Sequence, residues 1–138
     1  AGAPRERTTL MHHFGEALGM AFQIQDDILD YTRTARTGKP ANNDLREGKI
    51  TLPLLAVLER CDAARSAELL DLLGRCAADD GAVERLQAIV EEEGGIDAAA
   101  QVMHDFLARA AGMLAEYAPS ESQRSLIALC AYLAERDR

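Results

Sequence analysis

An all-α fold, a bundle of antiparallel helices, is predicted by three features of this sequence. Apolar residues make up 48% of the chain but aromatic ones only 4%, and Trp is absent, so the hydrophobic mass falls to Ala and Leu, both strong helix formers. Apolar positions recur at three- and four-residue spacing, and no alternating strand pattern interrupts them. All but one of the connections between these periodic stretches are short, as a helical bundle requires. At 138 residues the chain amounts to one domain or to a piece of a larger one.

The helices can be taken in chain order. Leu10, Phe14, Ala17, Leu18, Ala21, Phe22, Ile24, Ile28 and Leu29 trace a long amphipathic helix that starts from a cap at Thr8 or Thr9 and ends near Tyr31. From Thr32 to Lys49 there are Gly38, Pro40, two Asn, Asp44 and Gly48 with almost no apolar residue, so a loop of unusual length is expected. Thr51 as a cap and Pro53 in the first turn open a second helix, which runs through Leu54, Leu55, Val57 and Leu58 to about Arg60. A third follows Asp62 and runs to about Arg75, with Leu69, Leu70, Leu72 and Leu73 as its core. Asp79-Asp80-Gly81 caps a fourth from Ala82 to Glu93, which Gly94-Gly95 stops. Asp97 to Tyr117 is a fifth, and Ser120 caps a last one built on Leu126, Ile127, Leu129, Cys130 and Leu133.

Charge narrows the partners. Fifteen Lys and Arg against 23 Asp and Glu give a net charge of −8, which repels a phosphate backbone and excludes nucleic acid as the expected partner. Cys61, Cys76 and Cys130 are odd in number and form no CxxC pair, which argues against a disulfide framework or zinc knuckle and for a reducing, cytoplasmic setting. No apolar run approaches the ~18 residues of a membrane span. The chain opens Ala-Gly-Ala-Pro without a Met, a start that reads as a cut in a longer polypeptide.

Chemistry concentrates at the end of the first helix. Asp26, Asp27 and Asp30 stand at i, i+1 and i+4, so three carboxylates share one patch in the last turns, where like charges and the helix dipole both disfavour them. A divalent cation would offset that cost, and oxygen ligands without Cys or His suit a hard ion such as Mg2+. Gln23 lies one turn earlier on the same face. The adjoining loop carries Arg33, Arg36, Lys39, Arg46 and Lys49, and a diphosphate bridging metal and loop would use both sets of charges. Taken as residues alone, the same pattern is also that of a solvated charged helix end with a connector beside it. Three features favour the site: Phe22 precedes Gln23, the acidic cluster sits on a strongly apolar helix, and the basic residues come in a Gly/Pro-rich loop directly after it.

The wording from Leu18 to Tyr31 (LGMAFQIQDDILDY), then Gly38-Lys-Pro and Asp44 to Leu54 (DLREGKITLPL), resembles the second aspartate-rich region of trans-isoprenyl diphosphate synthases, the polyprenyl synthetase family. The likeness runs from about Phe14 to Leu58, and the later helices match only in pattern. It implies the C-terminal part of an isoprenoid-synthase-type fold and a Mg2+-dependent condensation of isopentenyl diphosphate with an allylic diphosphate. Carried over by residue, Asp26, Asp27 and Asp30 would hold Mg2+, Lys39 and Lys49 would contact the diphosphate, and Phe22 and Gln23 would face the reacting ends of the substrates. Residues 1–138 would then be the C-terminal portion of a larger domain. The family's first aspartate-rich motif and its isopentenyl site are not in this sequence, so the chain by itself is expected to be inactive. The Gly-Lys-Pro and Asn-Asp-Leu wording and the closing Glu135-Arg-Asp-Arg138 lean towards enzymes that make long side chains. The contrasting possibility is a non-catalytic helical subunit that works by packing against a partner.

The remaining polar and sulfur residues have plainer readings. His12, His13 and His104 are expected to be ordinary surface or interface histidines, Glu91-Glu92-Glu93 a solvated helix end, and Met11, Met20, Met103 and Met113 core filler. A first helix that is apolar over so wide a face predicts self-association, with a homodimer as the expected assembly.

Overall fold

A computed structural model describes residues 2–32 and 42–135. The described residues form seven helices: α1 (Arg5–Thr32), α2 (Asn43–Arg46), α3 (Leu52–Leu58), α4 (Ala63–Arg75), α5 (Asp80–Glu92), α6 (Gly95–Leu114) and α7 (Glu121–Glu135). No strand occurs among them, so the all-α prediction holds. The chain divides into two compact units, one of residues 1–25 and 101–138, the other of residues 26–100. The divisions fall inside α1 and inside α6.

In the unit of residues 26–100, an apolar cluster joins Tyr31 of α1, Leu45 of α2, Leu54 and Val57 of α3, Leu69, Leu72 and Leu73 of α4, and Val83, Leu86, Ile89 and Val90 of α5. Caps set the helix starts. The Asp62 carboxylate accepts the Arg65 N–H at 2.8 Å, and Asp79 accepts that of Gly81 at 2.9 Å, each satisfying a donor that the first turn leaves free. Thr51 precedes α3 in an extended conformation, but its side chain does not cap the helix. Its hydroxyl is buried beside that of Tyr31.

The long loop expected from Thr32 to Lys49 is interrupted by α2, a single turn anchored by the fully buried Leu45. One apolar residue in a polar stretch carries no periodicity, so nothing local announces this turn. Helix α1 begins at Arg5, not at Thr8 or Thr9. Pro4 precedes it, where a fixed φ suits helix entry, and the Thr8 hydroxyl turns back to the Pro4 carbonyl at 3.3 Å.

Gly94, with φ of 71°, ends α5 in the left-handed region that glycine adopts without strain. Gly95 is not part of the stop but the first residue of α6, which therefore starts two residues before the expected Asp97. A Cβ at Gly95 would collide with the Pro53 carbonyl oxygen and lie 2.9 Å from methyl carbons of Val57 and Val90. The position needs glycine for close approach between helices. Gly95→Ala is expected to destabilise this unit by about 1–3 kcal/mol, measured as a lowered urea midpoint; an unchanged midpoint would refute that packing.

In the other unit, Phe14, Ala17, Ala21 and Ile24 of α1, Met103, Leu107, Ala110 and Leu114 of α6, and Cys130 and Leu133 of α7 are buried. Ser120 caps α7 by accepting the Gln123 N–H at 3.1 Å. The Gln123 amide in turn donates to the carbonyls of Leu114 and Tyr117, closing the end of α6 at Leu114, a turn before Tyr117. Arg7 lies over the Tyr117 ring, 4.7 Å from its centre, and donates to the Glu116 carbonyl. The buried Gln25 donates to the Leu133 carbonyl at 3.2 Å.

Burial departs from expectation at some apolar positions. Met103 is buried, but Met11 and Met20 are exposed, as are Leu70, Ile127 and Leu129, so those residues are not core within their own units. All three cysteines are free. Burial raises the Cys76 and Cys130 pKa values, which keeps both thiols protonated and unreactive.

Candidate functional site

The acidic motif occupies the last turns of α1. Asp26 is exposed, Asp27 half-buried and Asp30 buried, a gradient set by a helix rotating 100° per residue past the apolar cluster. The three carboxylates do not gather at one point. Asp30 turns to α2, where one oxygen accepts the Asn43 N–H at 3.2 Å and the other the Asp44 N–H at 2.9 Å. These are free donors of the first turn of α2, and Asn42, which precedes that turn, makes no side-chain cap.

Asp27 accepts the Leu52 N–H at the start of α3, at 3.4 Å. Its pKa is raised, first by burial and then by the negative charges of Asp44, Asp26 and Asp30, against the lowering effect of that hydrogen bond. Because the folded state binds the Asp27 proton more tightly than the unfolded chain, this carboxyl does not weaken folding below its ordinary pKa. It opposes folding as pH rises through the raised value and remains unfavourable above it. Asp27→Asn should therefore raise the melting temperature near pH 7 and lose that advantage below the ordinary carboxylate range. A pH-independent difference would refute the electrostatic account.

Sequence spacing gives no reason to single out Asp44, yet its charge reaches Asp27 and Tyr31. Only its place on α2 reveals it. Lys49 is on the surface and pairs with Glu47 at 2.6 Å and Asp44 at 3.1 Å, contacts that raise its pKa. Arg46 pairs with Asp80 at 2.6 Å. Beneath the motif Tyr31 is fully buried, its pKa raised chiefly by desolvation against the lowering effect of the Thr51 side chain beside its hydroxyl.

Lys39, Arg33 and Arg36 lie outside the described residues. Phe22 and Gln23 are exposed on the part of α1 that belongs to the other unit. There they line an apolar groove of about 530 Å³ together with Gly15, Gly19, Leu129 and Tyr132. Among the described residues no three His, Cys, Asp or Glu side chains form a metal-holding group. Asp26 and Asp27 nevertheless fit a hard divalent ion. Burial first, and then the charges of Asp44, Asp26 and Asp30, raise the Asp27 pKa, a cost that a cation would offset, and Mg2+ characteristically takes one or two protein carboxylates and completes its shell with water and phosphate oxygens.

An all-α fold whose long first helix ends in an aspartate-rich turn is of the isoprenoid-synthase type. The chain belongs to the polyprenyl synthetase family, whose model matches residues 1–90. It is 35% identical over 139 residues to the geranylfarnesyl diphosphate synthase of Aeropyrum pernix, covering 99% of this chain and 42% of that protein. Its fold matches the crystal structure of a decaprenyl diphosphate synthase from Rhodobacter capsulatus with a TM-score of 0.86 at 31% identity, over 99% of this chain and 42% of that one. It also matches a Caulobacter crescentus polyprenyl synthase solved with calcium and isoprenyl diphosphate, with a TM-score of 0.85 at 31% identity, over 100% of this chain and 42% of that one. The chain thus spans about two fifths of the length of these relatives.

Proposed function

We propose that this chain forms the C-terminal, diphosphate-binding portion of a polyprenyl diphosphate synthase that joins isopentenyl diphosphate to an allylic diphosphate. The observation that carries the reading is the acidic end of α1, where Asp27 is half-buried beside Asp26 and its ionisation is opposed by burial first and then by Asp44, Asp26 and Asp30, while Lys49 on the adjoining segment pairs with Asp44. Family membership supports it.

When bound, Mg2+ would supply positive charge to the allylic diphosphate as it departs. Asp26 and Asp27 would hold that ion, while the ammonium groups of Lys39 and Lys49 neutralise the remaining phosphate oxygens. The C–O bond of the allylic diphosphate breaks with its electron pair on oxygen. The double bond of isopentenyl diphosphate forms the new C–C bond, and a proton leaves the adduct, lengthening the chain by five carbons. Phe22 and Gln23 would face the reacting ends, where apolar walls keep water from the cation. Asp30 would be the third carboxylate on that ion, each of its oxygens also accepting one N–H of α2 and keeping a further lone pair.

The sequence wording favours a long-chain product, while the relatives range from short-chain and geranylgeranyl to decaprenyl diphosphate synthases. No described helix is long and apolar enough to cross a membrane. Cysteine usage favours a cytoplasmic, reducing setting. Incorporation of radiolabelled isopentenyl diphosphate tests the reading: the full-length enzyme should form product only with a divalent cation, and these 138 residues alone should form none. Turnover by the 138 residues alone would overturn the division of the site, and no turnover by the full-length protein would favour the packing-subunit alternative.

Homo-oligomerisation is part of the same proposal. Within their unit, α1 exposes Met11, Met20 and Phe22, and α7 exposes Ile127, Leu129 and Tyr132, an apolar surface that seeks a neighbour. The 138-residue chain should sediment as a dimer or larger species, whereas a well-behaved monomer at micromolar concentration would refute self-association.

A further inference from the structure

Behind the acidic motif lies a chain of hydrogen bonds that none of the proposed metal and diphosphate contacts uses. Helix α1 reaches its end with carbonyls that have no partner within the helix. The Asp30 carbonyl accepts the Asn42 N–H at 2.9 Å, and the Tyr31 carbonyl accepts the Gln87 side-chain amide at 2.7 Å. The Gln87 oxygen accepts the Asn42 side-chain amide, also at 2.7 Å. Asn42 is itself buried and holds the left-handed conformation, with φ of 60° and ψ of 37°. Asn tolerates that region better than most residues.

These ties extend through α2 to Lys49. Asp30 receives the first two N–H groups of α2. Asp44 of α2 then receives two bonds from Lys49, its carbonyl taking the Lys49 backbone N–H at 2.8 Å and its carboxylate the ammonium at 3.1 Å. A continuous set of contacts therefore runs from Gln87 on α5, through Asn42 and α2, to Lys49. A helix of four residues cannot hold itself in water, so its position is decided by these ties and by Leu45.

We propose that Gln87 is a positioning residue for the diphosphate site: together with the Asp30 carboxylate it fixes α2, and through α2 it fixes Lys49 relative to Asp26 and Asp27. The consequence for substrate rests on the diphosphate reading above, whereas the consequence for α2 does not. Gln87 carries no charge and need not meet the substrate. Its amide is suited to the task because it donates to one carbonyl and accepts from one amide at once.

Gln87→Met in the full-length enzyme keeps the side chain's length and apolar volume while removing both hydrogen bonds. The α2 amides should then exchange about tenfold faster, the factor carried by one ordinary hydrogen bond, and the KM for the allylic diphosphate should rise by a similar factor with kcat changed less. Gly95→Ala, a destabilising change in the same unit away from these bonds, should lower thermal stability without changing α2 exchange relative to the rest of the unit or the KM. Unchanged α2 exchange in Gln87→Met would overturn the inference, as would an equal response in Gly95→Ala. If the wild type fails to bind inorganic diphosphate with Mg2+, the diphosphate reading fails instead, and α2 exchange still decides whether Gln87 fixes that turn.

Discussion

Replacing Asp27 with Ala in the full-length enzyme is expected to lower turnover by roughly 100- to 1,000-fold, the range seen when one charge-stabilising group is removed from a preorganised site. Asp27 is half-buried at the end of α1, where burial first, and then Asp44, Asp26 and Asp30, oppose its ionisation. A folded protein that keeps such a carboxylate carries a standing electrostatic cost, and a cation bound there would remove it. The substitution deletes the repelled charge, so stability should be maintained while activity is lost. Asp26→Ala should act in the same direction, since that carboxylate is exposed and has no structural bond to surrender. Initial rates with radiolabelled isopentenyl diphosphate at saturating Mg2+ measure the effect. Rates within twofold of wild type for both variants would remove these residues from the metal site.

Leu45→Ala should cost about 2–5 kcal/mol of stability, the range for truncating a fully buried leucine. Leu45 is the buried residue of α2 and belongs to the apolar cluster formed with α3, α4 and α5. A single turn gains little from its own backbone bonds, so loss of this anchor should free α2 and with it the Asp44–Lys49 pairing. Urea denaturation gives the stability change, and amide exchange over Asn43–Arg46 gives the local one. A cost below about 1 kcal/mol would show that the site can collapse around the smaller side chain, or that α2 is held by Asp30 and Asn42 alone.

The two variants separate what is chemically active from what holds it in place, and that division tracks how legible each part was in the sequence. Fold class, the long helices and the acidic motif were local properties. Helical periodicity, Ala and Leu content and capping residues act within one or two turns; Asp79 and Ser120 make their expected caps, whereas Thr51 makes none and α1 starts ahead of Thr8 and Thr9. The resemblance around Asp26, Asp27 and Asp30 led to the right family because that wording is contiguous.

Tertiary contacts decided the rest. Sequence spacing placed Asp30 with its two neighbours on one helix face, but the structure gives its carboxylate to the N–H groups of Asn43 and Asp44, thirteen and fourteen residues away. Gln87 is an unremarked polar residue on α5 until the fold sets it beside the Tyr31 carbonyl, fifty-six residues distant. Gly95 looked like a helix stop beside Gly94, yet it begins α6 because only a residue without Cβ fits against Pro53 and Val57. In each case the deciding partner is remote in sequence. Local chemistry determines which helices form and which charges they carry, whereas the satisfaction of buried donors, acceptors and space is a property of neighbours that only the folded chain brings together.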